Sequence, residues 1–219
     1  MILTDIGPDR LPAVIEQFAA QLAPDDRAVF RCIADPANAV RAAGDDAERH
    51  HAEACALAEE FGMTLLPGRP TLDYAWTGRA LRRETEAYVL LHEVAHFQLA
   101  PPERRHAVDF GLGAGPETGD RDGAERAATV FGLARENEEA MASLLGVLWE
   151  VELGQPGFAS FLDQNWLEGA GRPGAARHFS AVLAALKQRG LIDAQGRPQR
   201  RRACALTTLT TMAESTPAG

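Results

Sequence analysis

The chain has 219 residues, of which 46% are hydrophobic and 24% are charged. This balance is typical of a globular protein, and no apolar run approaches the roughly 18 residues that a transmembrane helix needs. The net charge of −9 opposes binding to nucleic acid, because its phosphates would be repelled. Residues 1–8 lack a basic segment followed by an apolar one, so we expect a cytoplasmic protein that binds neither membrane nor nucleic acid.

The cysteines and tryptophans carry no motif. Cys32, Cys55 and Cys204 are odd in number and far apart, which predicts neither a disulfide framework nor a thiolate zinc site. We expect them to be small core residues. The tryptophans, which have no regular spacing, are expected in the core or in a pocket wall: Trp76, Trp149 and Trp166.

Helical spacing of apolar residues dominates the first part of the chain. Apolar residues recur at three- and four-residue steps in 11–22 and 45–61, which predicts two helices, the second ending at Gly62. Two short apolar stretches bounded by glycine and proline, 63–66 and 72–76, predict strands that pair as a small sheet.

Helical spacing returns further along the chain. A helix is predicted from Arg79 to Ala100, where Pro101 and Pro102 end it, and a glycine-rich loop over 111–123 follows. The remaining predicted helices span 124–153 with a break near Gly132, 158–167 and 175–189. These elements predict one domain over 1–219 that is mainly α with a small β element. Its core covers about 63–153, and helical segments over 1–62 and 154–219 flank it.

The predicted helix over 79–100 contains the H-E-x-x-H pattern as His92-Glu93-Val94-Ala95-His96. An α-helix turns once in about 3.6 residues, so both histidines share one face and can bind the same metal ion. Glu93 can act on a water or another exchangeable ligand without occupying the metal itself. The alternative is a helix whose polar residues face solvent, but apolar residues on its far side favour a buried site. We therefore predict that His92 and His96 are ligands and that Glu93 is catalytic.

The third metal ligand is not fixed by spacing. The extended metzincin pattern is absent, because Leu99 and Pro102 stand where its glycine and third histidine would be. The candidates are carboxylates: Asp109, Glu117 in a Gly-Pro loop, and the acidic group Glu136, Glu138 and Glu139 on the long helix. A helix holds a ligand more precisely than a loop does. Glu136 and Glu139 share a face, as a ligand and its neighbour would, although an ordinary solvated acidic turn is the alternative.

A longer block around this pattern resembles a known signature. The bacterial elongation factor P hydroxylases carry H-E-x-x-H, an aromatic residue, an Arg-Arg pair and V-D-F-G at the same spacing. The matching residues here are His92 to Phe97, Arg104-Arg105 and Val108-Asp109-Phe110-Gly111. Downstream, Glu136 and Glu139 match the E-x-x-E helix of that family, and the resemblance covers roughly residues 63–149.

The resemblance implies a divergent member of this hydroxylase family. It implies a zincin-like metal-binding core built on the H-E-x-x-H helix, with extra helices at both ends. It also implies that Glu139 is the third ligand and that Glu136 is its neighbour. The activity implied is hydroxylation of a modified lysine on elongation factor P.

The ligand set is compatible with two kinds of chemistry. Two histidines and one carboxylate form a facial triad, in which ferrous iron keeps positions open for dioxygen and a substrate group. The same ligands with one water suit zinc hydrolysis. We expect a metal-dependent hydroxylase, with Fe(II) favoured over Zn(II) and dioxygen as co-substrate. Its substrate is an elongation factor P-like protein or a small amine or amino acid. The alternatives are a zinc peptidase that uses Glu93 as general base, and a metal-binding module without catalysis.

Three residues that follow the motif have open roles. Asp109, the second predicted catalytic residue, either accepts the remaining N–H of a ligating histidine or caps the turn before Gly111. Arg104 and Arg105 either pair with Asp109 or a substrate carboxylate, or lie solvated on the surface. Arg105 is predicted to support the ligands from outside their group.

The other histidines and the basic run carry weaker signals. His50 and His51 lie among acidic residues of a helix and are predicted to be solvated. His106 is near enough to the motif in sequence to enter the site, whereas His178 has no predicted partner. The basic run is predicted to be surface, with docking to an acidic partner as the alternative: Arg197, Arg200, Arg201 and Arg202.

Overall fold

The computed structural model describes residues 6–70, 76–115 and 118–201. Within these ranges the chain has eight α-helices and one two-stranded parallel sheet. The helices are α1 (Leu11–Ala19), α2 (Pro24–Ile33), α3 (Asp45–Glu60), α4 (Ala87–Leu99), α5 (Arg121–Ala127), α6 (Gly132–Glu152), α7 (Gly157–Asp163) and α8 (Pro173–Gln188). The strands are β1 (Leu65–Leu66) and β2 (Leu81–Arg82), and 3-10 turns span Pro36–Asn38 and Val108–Gly111.

The predicted class, mainly α with a small β element, is confirmed. The zincin-like core stays a prediction. None of the described helices is long and apolar enough to cross a membrane.

Local chemistry explains where several helices begin and end. α1, α2 and α8 carry proline in the first turn, where its missing N–H has no intrahelical partner to lose. The first turn of α3 carries three acidic residues, which the helix dipole stabilises. Gly62 ends α3 with a φ of 81°, a backbone conformation that favours glycine. α4 ends at Leu99, just before Pro101, which confirms the predicted end.

The segment between β1 and α4 differs from the prediction. A helix was expected from Arg79, but residues 77–80 form a turn, β2 follows, and α4 begins only at Ala87. The apolar side chain of Leu81 is buried in a strand that pairs with β1, so it does not extend the helix. The backbone N–H of Leu81 donates to the carbonyl of Thr64 at 3.0 Å. Most of the other predicted strand, over 72–75, lies outside the described residues.

Two other helical segments refine the prediction. α2 was not predicted, although half of its residues are apolar and Val29, Phe30 and Ile33 are buried. The long stretch over 124–153 forms two helices, α5 and α6, and the break between them confirms the one expected near Gly132.

One hydrophobic core includes residues from both ends of the described chain. Four phenylalanine rings from α1, α2, α7 and α8 pack together with centroids 4.8 to 6.5 Å apart: Phe18, Phe30, Phe161 and Phe179. Elsewhere in the same core, α4 packs against α3 and α6, and its Leu90, Leu91 and Val94 are fully buried. Burial of each such side chain contributes about 1.5–3 kcal/mol. The H-E-x-x-H helix is therefore held between two others.

Candidate metal centre

His92, His96 and Glu139 meet where α4 packs against α6. The Nε2 atoms of His92 and His96 are 3.1 Å apart. Nε2 of His96 lies 3.4 Å from Oε2 of Glu139. One ligand atom from each residue lies within 4.8 Å of the other two, so the group could hold a metal ion. The structure thus brings the three predicted ligands together.

The 3.1 and 3.4 Å separations from His96 agree with those of ligands around one ion. Two atoms that each lie about 2.1 Å from a metal are about 3.0 Å apart at octahedral angles and about 3.4 Å apart at tetrahedral angles. A hydrogen bond between the imidazoles and an ion pair with Glu139 would also satisfy these atoms. Two imidazole nitrogens and one carboxylate suit both Fe(II) and Zn(II). The residues therefore fit the expected ion without choosing between the two metals.

The surroundings favour the protonation state that metal binding needs at His92 and Glu139, but not at His96. Burial, together with the charge of His96, lowers the pKa of His92 to about 3, so its ring is neutral. Burial would raise the pKa of Glu139, but the hydrogen bond with His96 and the charges of both histidines lower it to about 2. Burial lowers the pKa of His96, but Glu139 more than reverses this and the net shift is upward. A metal would displace the proton that the pair shares.

Glu93 faces the same site but does not belong to the ligand group. Its side chain is buried, and Oε2 accepts a hydrogen bond from the backbone N–H of Trp76 at 3.0 Å. Burial, reinforced by the charges of Asp109 and Glu139, raises the pKa of Glu93 to about 8, although His96 and the Trp76 N–H oppose the shift. Glu93 can therefore hold a proton near neutral pH, as a general acid must.

The V-D-F-G segment forms a strained turn beside His96. Asp109 and Phe110 have φ values of 45° and 53°, in the left-handed region that a bulky side chain rarely adopts. The Phe110 ring stacks on the His96 imidazole with centroids 5.6 Å apart and on the Trp76 ring at 5.8 Å. The strained backbone thus holds an aromatic ring against a predicted ligand.

Asp109 connects this turn to the loop that follows it. Its Oδ2 accepts a hydrogen bond from the hydroxyl of Thr118. Burial raises the pKa of Asp109, although the Thr118 hydrogen bond opposes the shift. Oδ1 of Asp109 and Nδ1 of His96 are both buried, and neither has a hydrogen-bond partner among the described residues. The role of Asp109 as acceptor for a histidine N–H stays a prediction.

Arg104 joins the same turn to α6. Its Nη1 donates to the carbonyl of Phe110 at 2.8 Å, and its Nη2 donates to both carboxylate oxygens of Glu138 at 2.9 and 2.7 Å. Of the two alternatives for Arg104, neither pairing with Asp109 nor a solvated side chain is found, because its guanidinium pairs with Glu138 and is largely buried. The same pair argues against Glu138 as third ligand. It also fixes the backbone next to Glu139.

The remaining candidates around the ligands have different surroundings. Arg105 is buried, which contradicts the solvated alternative, and its Nε donates to the carbonyl of Phe97 at 3.0 Å. Trp76 Nε1 donates to the Arg105 carbonyl at 2.7 Å, so these contacts fix the wall behind α4. Glu136 is exposed and lies outside the ligand group, and Glu117 lies outside the described residues. Among the described carboxylates, Glu139 is the one that joins the two histidines.

A cavity of about 370 Å³ opens onto the ligands. Small-molecule sites range over about 300–1,000 Å³, so this one suits a small substrate. The sequence did not single out four of its polar lining residues: Tyr88, Thr118, Arg135 and Gln164. Arg135 lies one helical turn before Glu139, a spacing that could have found it. Tyr88 has the same spacing before His92 on α4, whereas Thr118 and Gln164 come from distant parts of the chain and share no sequence signal.

Gly146 allows α6 to approach the backbone of His92. A Cβ built at Gly146 would lie 3.2 Å from Cα and 3.4 Å from N of His92. The position of His92 therefore depends on direct contact with the helix that carries Glu139. An isolated glycine in a predicted buried helix often has a packing reason, so the sequence did contain this signal.

The other histidines lie away from the ligands. His50 is buried, contrary to the prediction, and its carbonyl accepts a hydrogen bond from Gln155 at 3.1 Å. His51 is half-buried, and its Nε2 lies 2.6 Å from the carbonyl of Arg83. His106 is exposed and does not line the cavity, whereas His178 stacks on Trp166 with centroids 5.4 Å apart.

The structure also places most of the basic run and two of the three cysteines. Arg200 pairs with Glu60, and the carbonyls of Gln199 and Arg201 accept hydrogen bonds from Gln98 of α4. Cys55 is buried as predicted, but Cys32 is exposed. All three tryptophans are buried as predicted. Arg202 and Cys204 lie outside the described residues.

Comparisons with protein-family models, with curated proteins and with solved structures find no match to this chain. The resemblance to the elongation factor P hydroxylases therefore depends on the motif residues alone.

Proposed function

We propose that this protein is a metal-dependent hydroxylase that holds one divalent metal, with Fe(II) favoured, through His92, His96 and Glu139. The observation that supports the proposal is the convergence of these three side chains on a cavity large enough for a small substrate. A histidine pair and one carboxylate leave further coordination positions for dioxygen and a substrate group.

The chain itself supplies binding, orientation and protons. Ferrous iron in this ligand set would supply the activation of dioxygen. His92 is neutral and Glu139 is ionised, so both are ready to bind a cation. Phe110 lines the cavity, and its ring stacks on both the His96 imidazole and the Trp76 ring, which orients that predicted ligand. Glu93, held by the Trp76 N–H, is placed to give or take a proton in the cavity.

The proposed reaction puts one atom of dioxygen into a C–H bond and reduces the other atom to water. It consumes two electrons, which an external donor supplies, and two protons. The substrates that we propose are an elongation factor P-like protein carrying a modified lysine, or a small amine or amino acid. The protein substrate follows from the motif resemblance, and the small substrate agrees with the cavity volume.

The protonation state of Glu93 supports zinc-dependent peptide hydrolysis less well than it supports hydroxylation. A peptidase needs this glutamate as an ionised base. Burial raises the pKa of Glu93 to about 8, which keeps the carboxyl mostly protonated at neutral pH. A bound dication opposes that shift, so peptide cleavage has to be measured directly.

The test is an oxygen-uptake assay on protein purified without air and loaded with Fe(II) or Zn(II). Candidate substrates are free amino acids, small amines and modified elongation factor P, and the dioxygen is isotopically heavy. We expect Fe(II)-dependent uptake and a product that carries one heavy oxygen atom. H92A, which lacks a ligand, should be inactive, and H178A, which lies outside the site, should be active. Oxygen incorporated from water alone, or Zn(II)-supported peptide cleavage, would refute the proposal.

A further inference from the structure

Arg135 places one fixed positive charge in the cavity beside the ligands. It lies on α6 one turn before Glu139 and lines the same 370 Å³ cavity as His92 and His96. Among the described lining residues it is the sole lysine or arginine. The other ionisable lining groups are carboxyls, imidazoles and the Tyr88 phenol, none of which carries a fixed positive charge, so Arg135 sets where an anion can bind.

The guanidinium is held in place but not neutralised. Nη2 of Arg135 donates to the carbonyl of Ala114 at 3.1 Å, which anchors the side chain to the loop across the cavity. Within the described residues, Arg135 forms no ion pair with a carboxylate, whereas Glu139 pairs with His96 and Glu138 pairs with Arg104. Arginine carries five N–H donors, so most of them remain for a ligand.

Arginine differs from the other polar residues of the cavity in what it recognises. Its planar fork matches the two oxygens of a carboxylate, and the resulting paired hydrogen bonds are stronger than neutral ones. Arg135 also acts on Glu139, because its charge helps to lower the pKa of that carboxyl. A purely supporting role would therefore change metal affinity, whereas a ligand role would change the preference between small molecules.

We infer that the cavity binds a small organic acid, of the size of an amino acid, whose carboxylate pairs with Arg135 while the rest of the molecule faces His92, His96 and Glu139. The inference rests on the proposed function only for the assignment of the reaction to His92, His96 and Glu139. Binding of the acid at Arg135 does not depend on it. It selects the free acid over a lysine side chain within a protein as the substrate class.

Ligand-observed NMR on the full chain tests this with two matched pairs of probes. The pairs are hexanoate with hexanamide, and L-norleucine with L-norleucinamide, each at millimolar concentration with Zn(II)-loaded protein. We expect each carboxylate to bind at least about tenfold more tightly than its amide. R135Q should abolish the preference and R135K should keep part of it, since lysine has the charge without the fork. R126Q is the matched control, because Arg126 is exposed at the end of α5.

The same measurements on chelator-treated protein separate this inference from the proposed function. Elemental analysis gives the metal content of every sample. If the wild type binds no metal but still prefers carboxylates through Arg135, the proposed function fails and the inference stands. If no probe carboxylate binds, if R135Q keeps the preference, or if the preference disappears with the metal in every variant, the inference is wrong.

Discussion

Replacing Gly146 with alanine tests the contact between α6 and the helix that carries both histidines. The new Cβ would lie 3.2 Å from Cα and 3.4 Å from N of His92, and these backbone atoms cannot rotate away. Overpacking of this kind costs about 1–3 kcal/mol. Alanine in place of a helical glycine regains about 0.5–1 kcal/mol. We therefore expect G146A to lower the free energy of unfolding by roughly 1 kcal/mol and to weaken metal binding, because His92 shifts.

Equilibrium unfolding in urea measures the change in free energy. Gly174 in α8 supplies the matched control, because no atom lies within 4 Å of the place its Cβ would take. G174A should raise the free energy of unfolding by up to about 1 kcal/mol. The two variants should thus change stability in opposite directions. If G146A were stabilised as much as G174A, the close approach of α6 to His92 would be refuted, and with it the geometry of the ligand group.

Two further predictions concern the carboxylates of the site. E139Q should weaken binding of one divalent metal by more than about tenfold in calorimetry, whereas E136Q should bind it like the wild type; equal losses would remove Glu139 from the ligand group. The raised pKa of Glu93 means that this carboxyl's contribution to the stability of the metal-free protein is lost as pH rises from 4.5, its ordinary pKa, toward about 8. E93Q cannot ionise there, so its urea midpoint should rise relative to that of the wild type over this range, and a constant difference between the two pH profiles would contradict the burial of that charge.

The local part of the site could be predicted from sequence because it depends on one helix. His92 and His96 share a face through the helical repeat alone, and Pro101 fixes where that helix ends. The start of α4 could not be read in the same way. Leu81 is apolar at a position that suits the helical pattern, but its burial is satisfied by pairing with β1, a contact that depends on residues elsewhere in the chain.

The rest of the site depends on packing between distant segments. Glu139 reaches His96 because Gly146 lets α6 approach α4, and spacing within either helix does not encode this. The acidic neighbours of His50 on α3 predicted a solvated side chain. His50 is instead buried, and Gln155, far along the chain, donates a hydrogen bond to its carbonyl. Arg104 follows a proline pair, where a solvated side chain is common, but its guanidinium donates to the carboxylate of Glu138 on α6. Each error concerns a long-range partner, which periodicity cannot identify.

Several unfavourable features are concentrated at this one cavity. Phe110 has a left-handed backbone, Glu93 is a buried carboxyl, and buried polar atoms of His96 and Asp109 lack hydrogen-bond partners among the described residues. Each of these features costs stability, and folds tolerate such costs chiefly where function requires them.

A second cavity of about 440 Å³ adjoins Arg41 and Glu150 and shares Tyr88 with the ligand cavity. It is larger, but its main charges are paired, since Arg41 lies 2.8 Å from Asp163 and 3.8 Å from Glu150. The ligand cavity instead keeps Arg135 without a described ion pair and brings one donor atom from each of His92, His96 and Glu139 within 4.8 Å of the other two. Volume favours the second cavity and chemistry favours the first. Chemistry is the better guide, because paired charges leave little for a ligand to satisfy, whereas the three donor atoms around His96 could hold a metal ion and Arg135 keeps N–H donors for an anion.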